Sequence, residues 1–136
     1  MDILKFSIAG LPWFALYLAA TLVLFLVFLV IYLRITPYRE IALIREGNSA
    51  AAASISGAML GFVIPLANAV VQSANIADMV LWGVIALIVQ LLVYSVVTRI
   101  IPDIGRGIPE GKVAEGVFLG TLSVAIGILN AACITY

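Results

Sequence analysis

The chain has 136 residues, of which 65% are hydrophobic and only 10% are charged, and its formal net charge is zero. Soluble domains carry about 25% charged residues, so this composition excludes an ordinary soluble globular protein and predicts a chain embedded in a lipid bilayer. The zero net charge argues against nucleic acid as a partner, and the absence of histidine removes the commonest metal ligand, so we expect neither a metal nor a cofactor.

Four long apolar segments predict an all-α membrane protein with four transmembrane helices in a single membrane domain, residues 1–136. A helix needs about 20 apolar residues to cross the hydrocarbon core. We expect these helices near residues 10–33, 49–74, 79–98 and 113–135. The first apolar segment is too long for the core of a signal peptide, so we expect it to remain as a helix.

The segment between the first two helices predicts a short helix at the membrane surface. Thr36 can cap this helix and Pro37 suits its first turn, while Asn48 can cap the second transmembrane helix. Tyr32 and Tyr38 flank the segment, and we expect both rings at the membrane interface, where amphipathic aromatic side chains are enriched.

The distribution of basic residues predicts the orientation of the chain. Lys5 precedes the first helix, whereas the other six basic residues occupy the two loops after the first and third helices. They are Arg34, Arg39, Arg45, Arg99, Arg106 and Lys112. Because cytoplasmic loops carry an excess of lysine and arginine, we expect both loops in the cytoplasm and both termini on the periplasmic side.

The order of several short motifs predicts an internal duplication. Matching motifs are RITP at 34–37 with RIIP at 99–102, Glu-Gly at 46–47 with 110–111, and Asn-Ala at 68–69 with 130–131. The predicted repeats are therefore two-helix hairpins, residues 1–75 and 76–136. Since both would start on the same side of the membrane, they are parallel repeats related by an axis along the membrane normal.

Small residues recur along the second and fourth helices. They are Ser49, Ala53, Gly57 and Gly61 in the second helix, and Gly116, Gly120, Ser123 and Gly127 in the fourth. Such residues let helix backbones approach closely in lipid. They predict either packing of these two helices within one subunit or an interface between subunits of a homo-oligomer.

The membrane segments contain a small set of polar features. Pro65 cannot donate a backbone hydrogen bond, which frees the carbonyl of Gly61 as a binding group. The side-chain amides are those of Asn68, Gln72, Gln90 and Asn130. These groups either line a path for an ion or solute, or join helices by hydrogen bonds.

The sequence shows no pattern that predicts catalysis. It contains no glycine-rich phosphate loop, no serine or cysteine beside a base, and no carboxylate pair with a spacing suited to acid–base chemistry. We therefore expect that the protein is not an enzyme. Cys133 is the single cysteine, which excludes an intramolecular disulfide, and we expect it to be a small buried apolar residue.

Several strings together resemble a known family. They are TPYRE at 36–40, LIREGN at 43–48, PLA at 65–67, DMVLWG at 78–83 and NAACITY at 130–136. The chain resembles, over nearly its whole length, the YjfL-type family of small bacterial inner-membrane proteins, a domain of unknown function. The resemblance implies a multi-pass protein of the bacterial inner membrane, and it implies no activity, substrate or site residue.

Two functional hypotheses follow. The first is a homo-oligomeric channel or transporter-like assembly for an ion or small solute, which the polar amides and the small residues favour. The alternative is a non-transporting membrane scaffold whose basic loops recruit a partner protein or anionic lipid. The shortness of the loops favours the first hypothesis, because short loops offer little surface for docking a large partner.

Overall fold

The computed structural model describes residues 2–134, and every regular element within them is helical. The elements in chain order are α1 (Asp2–Ala9), α2 (Leu11–Ile35), α3 (Glu40–Arg45), α4 (Ser49–Gln72), α5 (Ile76–Ile100), α6 (Pro102–Gly107) and α7 (Val113–Cys133). Within the described residues, α1 with α2, α4, α5 and α7 are long and apolar enough to cross a membrane. The all-helical class and the four predicted spans are confirmed.

Side-chain caps explain where two of the spans begin. Asn48 accepts a 3.0 Å hydrogen bond from the backbone N–H of Ala51, which confirms its predicted role at the start of α4. Asn75 caps α5 in the same way through Asp78 N–H, at 2.9 Å. This second cap places the start of α5 three residues before the predicted one. The predicted end of the last helix at residue 135 lies outside the described residues.

Three local predictions differ from the structure. The chain forms a separate short helix, α1, before Gly10, and a further short helix, α6, in the second loop; neither was predicted. Thr36 does not cap α3, because its hydroxyl donates back to the carbonyl of Leu33 at 3.2 Å and the residue before α3 is Arg39. Cys133 is exposed rather than buried, because it lies on the outer face at the end of α7.

The bundle is organised around α4. Its closest partner is α7, with α5 second, and eleven of its residues are buried. The α2 helix is peripheral, with only Leu24, Phe28 and Tyr32 buried, so most of its surface is not covered by the rest of the bundle. It is anchored by the Phe28 ring, which stacks on Phe62 of α4 with centroids 4.7 Å apart.

The α4 and α7 helices run parallel, and both start at the same end of the bundle as α3 and α6. At that end Asn48 Nδ2 donates to the carbonyl of Ile108 at 2.9 Å, joining the two loops. We call this the basic end, because it carries the six arginine and lysine residues of the loops. The opposite end, where α4 and α7 finish, carries Asn68, Gln72 and Asn130, and we call it the amide end.

Candidate functional site

The small residues of α4 and α7 form one continuous interface within the subunit. A methyl group on Gly57 would overlap the backbone of Gly120, and one on Gly116 would overlap the backbone of Ala50. Gly120 itself lies against Ala53. The backbones therefore touch along the whole contact, and glycine is required because no side chain fits there.

All four small residues predicted for packing on α7 face α4. Gly116 and Gly120 lie against Ala50, Ala53 and Gly57, and Ser123 and Gly127 pack against Gly61. The contact within the subunit therefore uses every predicted packing position of α7. Ser49 is exposed and lies outside the contact. The structure accordingly places these residues inside one subunit.

Gln90 lies at the centre of the bundle, where α4, α5 and α7 meet. Its side chain is 1% exposed, and its Nε2 donates a 3.0 Å hydrogen bond to the main-chain oxygen of Ser123. Within the described residues its Oε1 is buried without a partner. Nearby, the carbonyl oxygen of Gly61, which Pro65 frees, lies against the backbone of Gly127. Both groups are therefore packed between helices of one subunit.

The amide end brings three predicted polar residues near one another. Asn68 Nδ2 donates to the carbonyls of Ala131 at 2.6 Å and Ile134 at 3.2 Å, so it closes the end of α7. Gln72 is exposed, and the two residues line a shallow pocket of about 390 Å³. Asn130 Nδ2 is buried without a partner among the described residues. Thus Asn68 and Asn130 have different surroundings although their sequence contexts match.

All six basic residues at the basic end are exposed, but they differ in pairing. Arg106 lies 3.9 Å from Asp103, and Lys112 lies 3.5 Å from Glu110. The remaining four make no ion pair with any residue from 2 to 134. They are Arg34, Arg39, Arg45 and Arg99. Unpaired cations of this kind are available to an external anion.

Arg39 and Arg45 share the largest crevice of the basic end. Its volume is about 740 Å³, and its walls include Leu33 from α2 and Ile41 from α3. The crevice therefore combines two exposed guanidinium groups with apolar side chains near the end of α2.

Glu40 also lines this crevice, although no sequence pattern marks it as a functional residue. It is 1% exposed, and within the described part of the chain neither carboxyl oxygen has a hydrogen-bond partner that satisfies it. Burial raises the pKa of Glu40 from 4.5 to about 7, and the nearby Thr36 hydroxyl opposes this rise. Burial also raises the pKa of Tyr38 far above its ordinary value, with Tyr94 and Glu40 adding to the shift.

Two of the tyrosines around Glu40, Tyr32 and Tyr94, are core residues, and Tyr38 packs half-buried against the core. The Tyr32 ring is buried against Tyr94, with ring centroids 5.4 Å apart and the ring planes inclined at 67°, and its position at the membrane interface stays a prediction. The sequence offers one signal of this cluster. Three residues with polar groups, Tyr32, Tyr38 and Glu40, lie within nine residues of one another. Tyr94 reaches it from α5 by tertiary packing alone.

A match to a known protein family covers almost the entire chain. The family described as Domain of Unknown Function (DUF350) matches residues 6–134. The chain belongs to the DUF350 family. The match includes both loops of the basic end and all four spans, so the geometry above describes a DUF350 domain.

The relatives of this DUF350 chain include two bacterial membrane proteins. The "UPF0719 inner membrane protein YjfL" of Escherichia coli (strain K12) is 42% identical over 123 residues, covering 90% of this chain and 93% of the relative. The "UPF0719 transmembrane protein YshE" of Bacillus subtilis (strain 168) is 25% identical over 120 residues, covering 87% and 90%. No solved structure matches this chain. The relatives and the four apolar helices support a multi-pass location in the inner membrane.

Proposed function

We propose that this DUF350 protein is a non-catalytic membrane scaffold whose basic end faces the cytoplasm and binds the headgroups of anionic lipids. The observation that carries this proposal is the presence, at one end of the bundle, of four exposed arginines that form no ion pair with any residue from 2 to 134. Each lysine or arginine near an anionic membrane surface contributes about 1 kcal/mol of attraction.

The crevice beside α3 is the part of the basic end that best fits a lipid headgroup. Arg39 and Arg45 line it, and a guanidinium group can donate two parallel hydrogen bonds to one phosphate. Leu33 and Ile41 offer apolar contact to the first carbons of the acyl chains. A headgroup phosphate and its attached hydrocarbon therefore match the two kinds of surface in the crevice.

The hydrogen bonds made by the side-chain amides of the apolar helices favour the scaffold over a conduction path through one subunit. Gln90 and Asn68 both donate hydrogen bonds to the backbone of α7, and Gly61 is covered by Gly127. Three of the groups predicted to form a polar path thus contact the backbone of the α7 segment within one subunit, which supports the scaffold.

Thermal unfolding in lipid nanodiscs tests the proposed lipid binding. Adding phosphatidylglycerol to phosphatidylcholine nanodiscs should raise the unfolding temperature of the native protein. The double variant Arg39→Gln, Arg45→Gln should lose most of this rise. Arg106→Gln is the matched control and should keep it, because the Arg106 guanidinium is already paired with Asp103. If the native protein shows no rise, lipid binding is discarded in favour of a cytoplasmic partner protein.

The proposed orientation and duplication are supported by the basic end as well. The two loops that meet there each contain a short helix followed by a glycine with positive φ, Gly47 at 86° and Gly111 at 80°. The parallel contact of α4 with α7 also pairs similar positions of the two halves, such as Gly57 with Gly120. These features favour parallel repeats with both loops in the cytoplasm and both termini in the periplasm.

A second candidate function is transport by a homo-oligomer, with the path between subunits. It is favoured by the unused hydrogen-bonding capacity of Asn130 Nδ2 within the described residues, because Asn130 is only half-buried near the end of α7. Proteoliposome flux should then fall in Asn130→Leu while the oligomer stays assembled. Flux that is unchanged in Gln90→Leu, Asn68→Leu and Asn130→Leu would discard this function.

A further inference from the structure

The basic end contains a carboxyl group whose surroundings do not suit its charge. Glu40, the first residue of α3, is 1% exposed, and both of its carboxyl oxygens are buried without a satisfying partner among residues 2–134. Buried carboxylates are usually paired with a cation, because removing a charge from water costs several kcal/mol. The neighbouring Arg39 and Arg45 are exposed and form no ion pair with it.

The groups that face Glu40 are neutral hydroxyls. Thr36 lies beside its carboxyl group, and the phenols of Tyr32 from α2, Tyr38 from the linker and Tyr94 from α5 are close enough to interact with it electrostatically. Ser54 of α4 joins the cluster beside the Tyr32 hydroxyl. The span of α4, residues 49–72, contains no charged residue. The helices α2 and α5 and the linker before α3 thus each place a hydroxyl near Glu40, and none of their described residues forms an ion pair with it.

The same cluster contains several unsatisfied polar atoms. Tyr38 Oη, Ser54 Oγ and the two oxygens of Glu40 are all buried without a well-formed hydrogen bond in the described structure. Buried polar atoms are normally hydrogen-bonded, so a local group of exceptions indicates a missing participant. A single proton on Glu40 is such a participant. A neutral carboxyl group donates a hydrogen bond through its O–H while still accepting one through its other oxygen.

We propose that Glu40 is a buried proton-binding site that controls the docking of α3: neutral Glu40 holds α3 against the bundle, and ionised Glu40 weakens that contact. The pKa of the Glu40 carboxyl, raised to about 7 mainly by burial, agrees with this geometry. Since the docked state binds the proton more tightly than an undocked state exposed to water, docking is strongest at low pH. It weakens as the pH rises toward about 7.

The position of α3 makes it suited to such movement. It is a six-residue helix, and the turn that follows it contains Gly47 with φ of 86°. Ile41 and Ile44 are exposed, so an undocked α3 has an apolar face with which it can rest on the membrane surface. Because α3 forms a wall of the crevice with Arg39 and Arg45, its release also changes the spacing of the arginines.

Infrared spectroscopy of the purified full-length protein tests whether Glu40 carries the proton. The band of a neutral buried carboxylic acid should be present at about pH 5 and disappear with a midpoint near neutrality, since the midpoint reports the raised pKa. The band should be absent in Glu40→Gln and unchanged in Glu46→Gln, a matched control because Glu46 is exposed at the other end of α3. No Glu40-dependent band at any pH would overturn the proposal. A midpoint that falls as sodium replaces choline would also overturn it, in favour of a metal-cation site.

Spin labelling tests the docking of α3 separately from the proton. A label at Ala42→Cys in a Cys133→Ala background reports the mobility of α3 from an exposed position. Mobility should rise between about pH 5 and about pH 8, a range that brackets the raised pKa. In Glu40→Gln, which keeps the neutral shape, it should stay low throughout. An equal rise in Glu40→Gln, or no rise in the native background, would overturn the switch. Neither measurement depends on lipid binding by the arginines.

Discussion

The side-chain amide of Gln90 donates a 3.0 Å hydrogen bond to the main-chain oxygen of Ser123, and this bond joins α5 to α7 in the middle of the bundle. A Cβ atom at Gly61 of α4 would lie 2.5 Å from the same amide nitrogen. Three helices therefore meet at one point where an amide, a carbonyl and a glycine fit together. The central polar residue of the membrane region is part of the packing between helices.

Replacing Gln90 with leucine should lower stability only modestly. The variant loses one interhelical hydrogen bond, which is worth about 0.6 kcal/mol on average in membrane proteins. It also removes the buried Oε1, which has no partner among residues 2 to 134, and this offsets part of that loss. Reversible unfolding in detergent should show a change below about 1 kcal/mol. A loss several times larger would mean that Gln90 organises more of the core than this one bond.

Glycine substitutions in the α4–α7 interface should be far more damaging than substitution of a glycine where an added Cβ would make only an ordinary contact, such as Gly10. Gly57→Ala places a methyl group inside the backbone of Gly120, and relief of this overlap requires the two helices to separate. We expect a loss of about 1–3 kcal/mol, the range for overpacked sites. Gly10→Ala is the control, because its Cβ would lie 3.6 Å from the nearest atom. Equal melting temperatures for the two variants, measured by tryptophan fluorescence, would contradict the interface.

The two asparagines of the amide end should respond differently to replacement by alanine. Asn68→Ala removes hydrogen bonds to the carbonyls of Ala131 and Ile134, and should cost about 1–2 kcal/mol. Asn130→Ala removes an amide nitrogen that has no partner among the described residues, and should be close to neutral. Thermal unfolding of both variants in the same detergent gives the comparison, and a reversed order would show that Asn130 has a partner in the assembly.

The stability of the protein should depend on pH through Glu40. A carboxyl group with a pKa of about 7 when folded and 4.5 when unfolded contributes stability that is complete below about pH 4.5. This contribution is lost as the pH rises through about 7, and its size is roughly 3 kcal/mol, since one pKa unit is worth 1.36 kcal/mol. Chemical unfolding of Glu40→Gln should show no such decline, whereas Glu46→Gln should retain it. A pH profile shared by all three proteins would assign the dependence to other groups.

The proposed orientation predicts the behaviour of C-terminal reporter fusions. Alkaline phosphatase fused after the last residue should be active in cells, since that enzyme folds only in the periplasm, and a green fluorescent protein fusion should stay dark. Reversing the charge of Arg34, Arg39 and Arg45 to glutamate should reduce this asymmetry, because the basic loops hold the chain in place. A fluorescent C-terminal fusion of the native chain would place the basic end in the periplasm.

The hydropathy of the chain determined the four spans without any tertiary information. An apolar segment of about 20 residues is stable in lipid whatever its neighbours are, so composition and length are sufficient to predict it. The Asn48 cap was predictable for a similar reason, because it acts on the backbone only three residues away. The start of α5 was missed because the Asn75 cap lies in a polar segment that reads as a loop.

Tertiary structure alone decided which faces of the helices meet and which polar groups are buried. Gly57 meets Gly120, and Tyr94 reaches Glu40, across long stretches of chain, so no local pattern specifies these partners. The amides of Gln90 and Asn68 could have lined a pore or joined helices, and their sequence contexts are compatible with both. In the structure both amides donate to carbonyls of the α7 segment, because the close approach of α4, α5 and α7 determines where those carbonyls lie.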